Sequence, residues 1–395
     1  MTKQNRLPYV GPALFSYGFR PLFLAAGVFA AGVVPLWMAV WSGDVILGGP
    51  FSPIDWHIHE MLFGYTSAVI AGFLFTAIPN WTGRMPTRGW PLMVLAALWL
   101  AGRVAAAGGL GLGPLAVMAV DCAFMAAIGV MVTIEIIAGR NWGNLKVIAP
   151  VLAYLAANVT FHLEAMTQGT ADVGRRLGFA MVTMLILLIG GRIIPSFTRN
   201  FLAKQRPQPG LLPVPFGRFD MVSLGVSLLA LLIWVIWPVS DYAGAALLAA
   251  GALQGYRLSR WCGWRVWSSP LVLMLHLAFA FIPAGLVTLG LASFGVMPVA
   301  TGLHLLGIGG FGGMTLAVMM RASLGHTGRA LQAGPGLALA FACVVVAALM
   351  RVLVPAPAGL WCAAVLWTLG FGLFVWRFAP MLTLPNPARR QPNGQ

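Results

Sequence analysis

Residues 59–84 read HEMLFGYTSAVIAGFLFTAIPNWTGR, and no charge stands between Glu60 and Arg84. About 20 uncharged, mostly apolar residues in a row is the length an α-helix needs to cross a bilayer. Inside hydrocarbon every backbone polar group must be satisfied within the protein, which leaves helices and closed barrels. The run has no strict alternation of polar and apolar residues, so it predicts a helix. The same phrase recurs without a gap at 304–329, HLLGIGGFGGMTLAVMMRASLGHTGR. Each copy opens with histidine and closes with Thr-Gly-Arg. A fainter echo, Ile194-Pro195-Ser196-Phe197-Thr198-Arg199, parallels Ile78-Pro79-Asn80-Trp81-Thr82.

Comparable apolar runs fill the rest of the chain. Of 395 residues, 59% are hydrophobic and only 8% charged, with mean hydropathy +0.87. A soluble fold needs far more polar surface. Spans are expected near 22–42, 57–80, 90–107, 112–138, 146–168, 176–199, 219–239, 241–259, 269–291, 299–322, 333–354 and 358–380. The expectation is an all-α polytopic membrane protein of about twelve transmembrane helices, forming one transmembrane domain over residues 1–395. A Pro-rich, basic connector lies near 200–218. The three related phrases fall on the second, sixth and tenth spans, which predicts three four-helix units around a pseudo-threefold axis.

The net charge of +15 would suit nucleic acid in a soluble protein. Here the basic residues gather in alternate loops and act as topology signals, so no nucleic-acid partner is expected. Lys3, Arg6, Arg20, Arg84, Arg88, Arg140, Lys146, Arg199, Lys204, Arg206, Arg218, Arg257, Arg260, Arg265, Arg321, Arg329, Arg377, Arg389 and Arg390 share one side. By the positive-inside rule that side, with both termini, is cytoplasmic. Arg103, Arg175, Arg176 and Arg351 fall on the other side, and Arg192 within a span. The N-terminus shows no compact apolar stretch ending in a cleavage site, so no removable signal peptide is expected. Cys122, Cys262, Cys343 and Cys362 have no CxxC spacing and imply no disulfide framework.

Five of the six histidines, His57, His59, His162, His276 and His304, lie in or at the edges of spans; His326 follows the tenth. Polar groups are costly in lipid and are functional candidates there, and imidazole is a common ligand of haem iron and copper. Span directions put His57, His59, His162 and His304 in one leaflet and His276 deeper. His57 and His59 point about 200° apart on a helix. Either they serve two centres, or His57 belongs to the preceding loop. Spacing places Glu60 and Met61 on the face of His57, and Asn158 and Met166 on that of His162, with Glu164 turned away. Gly307, Gly309, Gly310, Gly312 and Gly313 allow close approach of a helix or a flat cofactor.

The phrases Trp56-His57-Ile58-His59-Glu60-Met61-Leu62-Phe63-Gly64, Gly72-Phe73-Leu74, Ala77-Ile78-Pro79-Asn80-Trp81-Thr82-Gly83, Phe161-His162-Leu163-Glu164 and Arg321-Ala322-Ser323-Leu324-Gly325-His326-Thr327-Gly328-Arg329 resemble those of the NnrS family over essentially the whole length. That resemblance implies a twelve-span bacterial inner-membrane protein holding haem and copper and acting in the nitric oxide response or in relief of nitrosative stress. His59 and His304, at equivalent repeat positions, are the expected axial pair of a haem b. His57, His162 and His276 are then left for copper or a second haem. Nitric oxide is the expected ligand, to be bound, sensed or reduced, with quinol in the bilayer as electron source. A weaker likeness links the chain to the haem-copper oxidase core. The absence of a His-His pair and of a histidine in the sixth span argues against oxygen reduction or proton pumping. A twelve-span secondary carrier and a non-catalytic haem sensor are the alternative readings.

Overall fold

Every regular element among the described residues, 9–205 and 212–385, is helical in this computed structural model. Lys3, Arg6, Arg206, Arg389 and Arg390, and the middle of the expected connector, lie outside the described residues. In chain order the helices are α1 (Phe19–Trp41), α2 (Pro53–His59), α3 (Thr66–Thr82), α4 (Trp90–Ala106), α5 (Pro114–Ala138), α6 (Ile148–Gln168), α7 (Asp172–Ala203), α8 (Arg218–Ile236), α9 (Asp241–Ser259), α10 (Pro270–Ser293), α11 (Val299–His304), α12 (Gly313–His326), α13 (Pro335–Leu353) and α14 (Ala358–Thr383). Proline in the first turn starts α2, α4, α5, α10 and α13, where its missing N–H would have no helical partner anyway.

Among the described residues ten helical stretches, with α2–α3 and α11–α12 each counted as one, are long and apolar enough to cross a bilayer, against the twelve expected. The other two are α4, with 17 residues, and α9, which carries Asp241, Gln254 and Arg257. From α4 to α10 consecutive helices pack together, as do α13 and α14; α3 lies against α1 and α5, and α1 against α14. Arg20, in the first turn of α1, fastens that contact by donating to the carbonyls of Leu382 (3.1 Å) and Leu384 (2.9 Å). A guanidinium at a helix C-terminus meets carbonyls with no helical partner and the negative end of the dipole.

The two repeated phrases have the same irregularities. After His59 the chain winds into a π-helical segment, Glu60–Tyr65, joining α2 to α3; after His304 another, Leu305–Gly312, joins α11 to α12. Gly83 and Gly328 stand at matched positions near the far ends, each with φ of +67°, a left-handed conformation that suits glycine. Ile194 and Pro195 instead lie inside α7, which runs on to Ala203 with no π segment.

Candidate functional site

π-helical turns add a residue per turn and often mark functional sites. Here the turn at Glu60 rotates the following side chains, so Glu60 does not join His57 as its spacing suggested. It meets the ring of His59, Nδ1 to Oε1 at 3.0 Å. The other face of that ring looks at α5 and α6: Nε2 is 3.2 Å from Asp121 Oδ2 and 3.1 Å from Asn158 Oδ1. His162 Nε2 reaches the same Asp121 oxygen at 3.0 Å. Asn158 and His162 share a face of α6, as their spacing requires, and Asn158 Nδ2 donates to Asp121 at 2.7 Å.

Arg103, from the last turn of α4, binds both carboxylates, donating to Glu60 Oε1 at 2.7 Å and to Asp121 Oδ1. Glycine makes room for it, since a Cβ on Gly64 would fall 2.3 Å from Arg103 Nη1. Phe51 closes over both imidazoles, 4.6 Å from His59 and 4.9 Å from His162 between ring centres. His59, Glu60, Asp121, Asn158 and His162 are all buried.

One donor atom each from His59, Asp121 and His162 lies within 4.8 Å of the others, a spacing that suits one metal ion. The hydrogen-bond chemistry supports this. A neutral imidazole has one N–H, yet His59 faces oxygen acceptors at both nitrogens. With the proton on Nδ1 and donated to Glu60, a cation at Nε2 would satisfy the other side. Glu60 then orients a ligating imidazole through its second nitrogen, a common arrangement at metal sites.

His57 points elsewhere. It is stacked on Trp37, with ring centres 4.6 Å apart and planes at 16°, and lines a cavity of about 870 Å3. His304 lines the same cavity from α11. His59, expected to pair with His304, does not line this cavity: two residues apart on one helix, His57 and His59 face opposite sides, and His57 is the one that shares the cavity with His304. His304 Nδ1 is 2.7 Å from the carbonyl of Ala300, an acceptor only, so Nδ1 carries the proton and Nε2 keeps its lone pair. His57 Nδ1 is buried with no hydrogen-bond partner. Much of the remaining wall is apolar, including Trp37, Phe179, Phe311 and Trp367, and Arg175, Arg176 and Arg351 also reach it.

His276 lies apart from both sites, paired with Thr198 at 2.8 Å. His326 packs on Tyr17 and Phe19. Glu164 caps α7, accepting from the backbone N–H of Val173 and Gly174. Most of the glycine run serves packing: a Cβ on Gly309, Gly310 or Gly312 would strike Phe281, Ile282 or Trp367. Gly307 faces the cavity.

Sequence reasoning missed Asp121 as a ligand candidate and Arg103 as its partner. The available signal was topological. The four basic residues on the minority side of the charge pattern, Arg103, Arg175, Arg176 and Arg351, all belong to these two sites.

No curated protein matches the chain. A family model described as NnrS protein matches residues 13–386, nearly its whole length, so the chain belongs to the NnrS family.

Proposed function

We propose that this chain holds haem b in the cavity lined by His57 and His304 and one copper ion among His59, Asp121 and His162, and that it binds nitric oxide in the cell's response to that gas. The observation carrying this reading is the gathering of four buried or half-buried imidazoles, from helices far apart in sequence, into two separate sites within a family linked to nitric oxide.

The residues fit the groups assigned to them. The cavity offers two imidazoles, a largely apolar wall and no Asp or Glu among its described lining residues. Ala300 holds the tautomer of His304, and Trp37 fixes the ring plane of His57. Haem iron, when bound, supplies a coordination centre for diatomic gases. At the second site two carboxylates, Glu60 and Asp121, surround one guanidinium, Arg103, so acidic groups outnumber the basic one by one. A monovalent cation such as cuprous copper brings that buried group to neutrality, and buried charge is costly unless paired. Arg103 holds the two carboxylates in place, and Phe51 screens the imidazoles from solvent.

The same reading takes α4 and α9 as spans, each packed against membrane-length neighbours. That gives twelve in one transmembrane domain, with the segment between α7 and α8 connecting its halves and pseudo-threefold order relating its units. An even number of spans and the charge pattern put both termini on the cytoplasmic side of a bacterial inner membrane.

The test is an optical spectrum with metal analysis of purified wild type and of His57→Ala, His304→Ala, His59→Ala and His162→Ala. The first two variants lose haem and keep copper; the last two lose copper and keep haem. Nitric oxide shifts the Soret band of reduced wild type, and its consumption by quinol-reduced protein would establish an oxidoreductase rather than a sensor. Wild type expressed with ample haem supply and purified without a Soret band refutes the proposal.

A further inference from the structure

The cavity carries a charge that its own walls do not answer. Arg175 and Arg176 are the fourth and fifth residues of α7, and Arg351 stands in the last turn of α13. Two general tendencies disfavour the α7 pair: cations are unfavourable at a helix N-terminus, and basic residues avoid the side of the membrane to which the charge pattern assigns them.

Local carboxylates account for one of the three guanidinium groups. Asp172 pairs with Arg175. Glu164, nearby, is taken by the backbone N–H groups of α7. Arg176 donates its Nε to the carbonyl of Val235 at 2.9 Å, and no carboxylate among the described residues lies within ion-pair distance of it. Arg351 makes no hydrogen bond or ion pair among the described residues, and its Nε is buried without a partner. Two arginines therefore reach a largely apolar cavity, beside His57 and His304, neither within ion-pair distance of a carboxylate, with Asp172 and Glu164 acting on Arg176 only from further off. An unpaired charge in such surroundings is strongly unfavourable, and guanidinium is well suited to bind carboxylate through two parallel hydrogen bonds.

We propose that the cavity's ligand is recognised as a dicarboxylate, with Arg351 and Arg176 each binding one carboxylate. This rests on the haem reading above: the two propionates of haem b supply the two anions, and the arginines fix which edge of the porphyrin lies toward the start of α7. Both are positioning residues for the cofactor.

The experiment compares haem b with its dimethyl ester, which keeps the ring and iron and removes both charges, by optical titration of apoprotein in detergent. Wild type binds the diacid about a hundredfold more tightly than the ester, about tenfold for each carboxylate that loses its charge-assisted hydrogen bonds. Arg351→Gln and Arg176→Gln each weaken the diacid about tenfold and leave the ester unchanged, and the double variant binds both alike. Arg351→Lys keeps the charge and retains part of the preference. Because each comparison is a ratio within one protein, partial misfolding of a variant does not imitate the result. Equal binding of acid and ester by wild type, or an undiminished preference in both glutamine variants, overturns the arginine assignment alone. Failure of wild type to bind either porphyrin overturns the haem reading and this inference with it.

Discussion

A single methyl group at position 64 separates helix propensity from site geometry. Gly64→Ala lies within a helical span, where alanine gains about 1 kcal/mol over glycine. The added Cβ would stand 2.3 Å from Arg103 Nη1 and 2.9 Å from Glu60 Oε2, well inside contact distance. The end of an arginine usually moves aside cheaply. This one is held by Glu60 at 2.7 Å and by Asp121, so moving it breaks a buried ion pair. Such a loss costs about 3–5 kcal/mol, so the net effect is a destabilisation of roughly 2–4 kcal/mol after the propensity gain. Asp121 also turns an oxygen to both imidazoles, so copper affinity falls with it, by about tenfold for each 1.4 kcal/mol transmitted. Thermal unfolding and copper competition against a chelator, both in detergent, measure the two effects. Gly32→Ala is the control: it lies in α1, exposed, with nothing within 4 Å of the added atom, and should gain stability alone. A Gly64→Ala protein as stable as wild type, with unchanged copper affinity, would refute the reasoning.

Asp121→Asn removes the charged ligand atom and leaves Arg103 with only Glu60; copper retention drops by at least tenfold by metal analysis, while haem content stays near wild type. Gly307→Leu puts a branched side chain into the cavity, so haem occupancy, read from the Soret band, falls with copper unchanged. Gly309→Ala drives a Cβ into the Phe281 ring, which lies 2.3 Å from it, and lowers thermal stability by about 1–3 kcal/mol through overpacking. Arg20→Met releases the contact between α1 and α14 at a cost of about 1–3 kcal/mol in unfolding, with both cofactor contents unaffected.

Hydropathy made the helical fold legible, because lipid permits few alternatives and each span announces itself by composition. It set the number of spans less firmly. Helix α4 is short, and α9 carries the buried Arg257 and Gln254, which hydrogen-bond to neighbouring helices. The internal repeat was readable from matched words, and matched π segments and left-handed glycines now give it physical content. The histidines were found as residues but not as groups. Which of His57 and His59 joins His304 depends on azimuth around a helix whose winding changes at Glu60, and a π turn is not encoded in any simple period. Asp121 went unnoticed for a related reason: an isolated acid in an apolar run has no partner in its own sequence neighbourhood, and Arg103 comes to it from another helix.

The arginines carry a more general argument. A basic residue on the disfavoured side of a membrane protein works against topology, so its retention there calls for a local compensating interaction. Arg103 finds two carboxylates, Arg175 finds Asp172, and Arg176 and Arg351 reach a cavity whose described walls contain no acid. The exceptions to the positive-inside pattern thus sort into one site whose carboxylates are built in and one whose described walls hold no carboxylate. Helix α2 stands between them, with His59 turned to the first and His57 to the second. A metal ion at His59 would therefore adjust the charge felt across one helix without sharing the cavity at His57, which distinguishes this arrangement from a binuclear centre in which two metals face a common ligand.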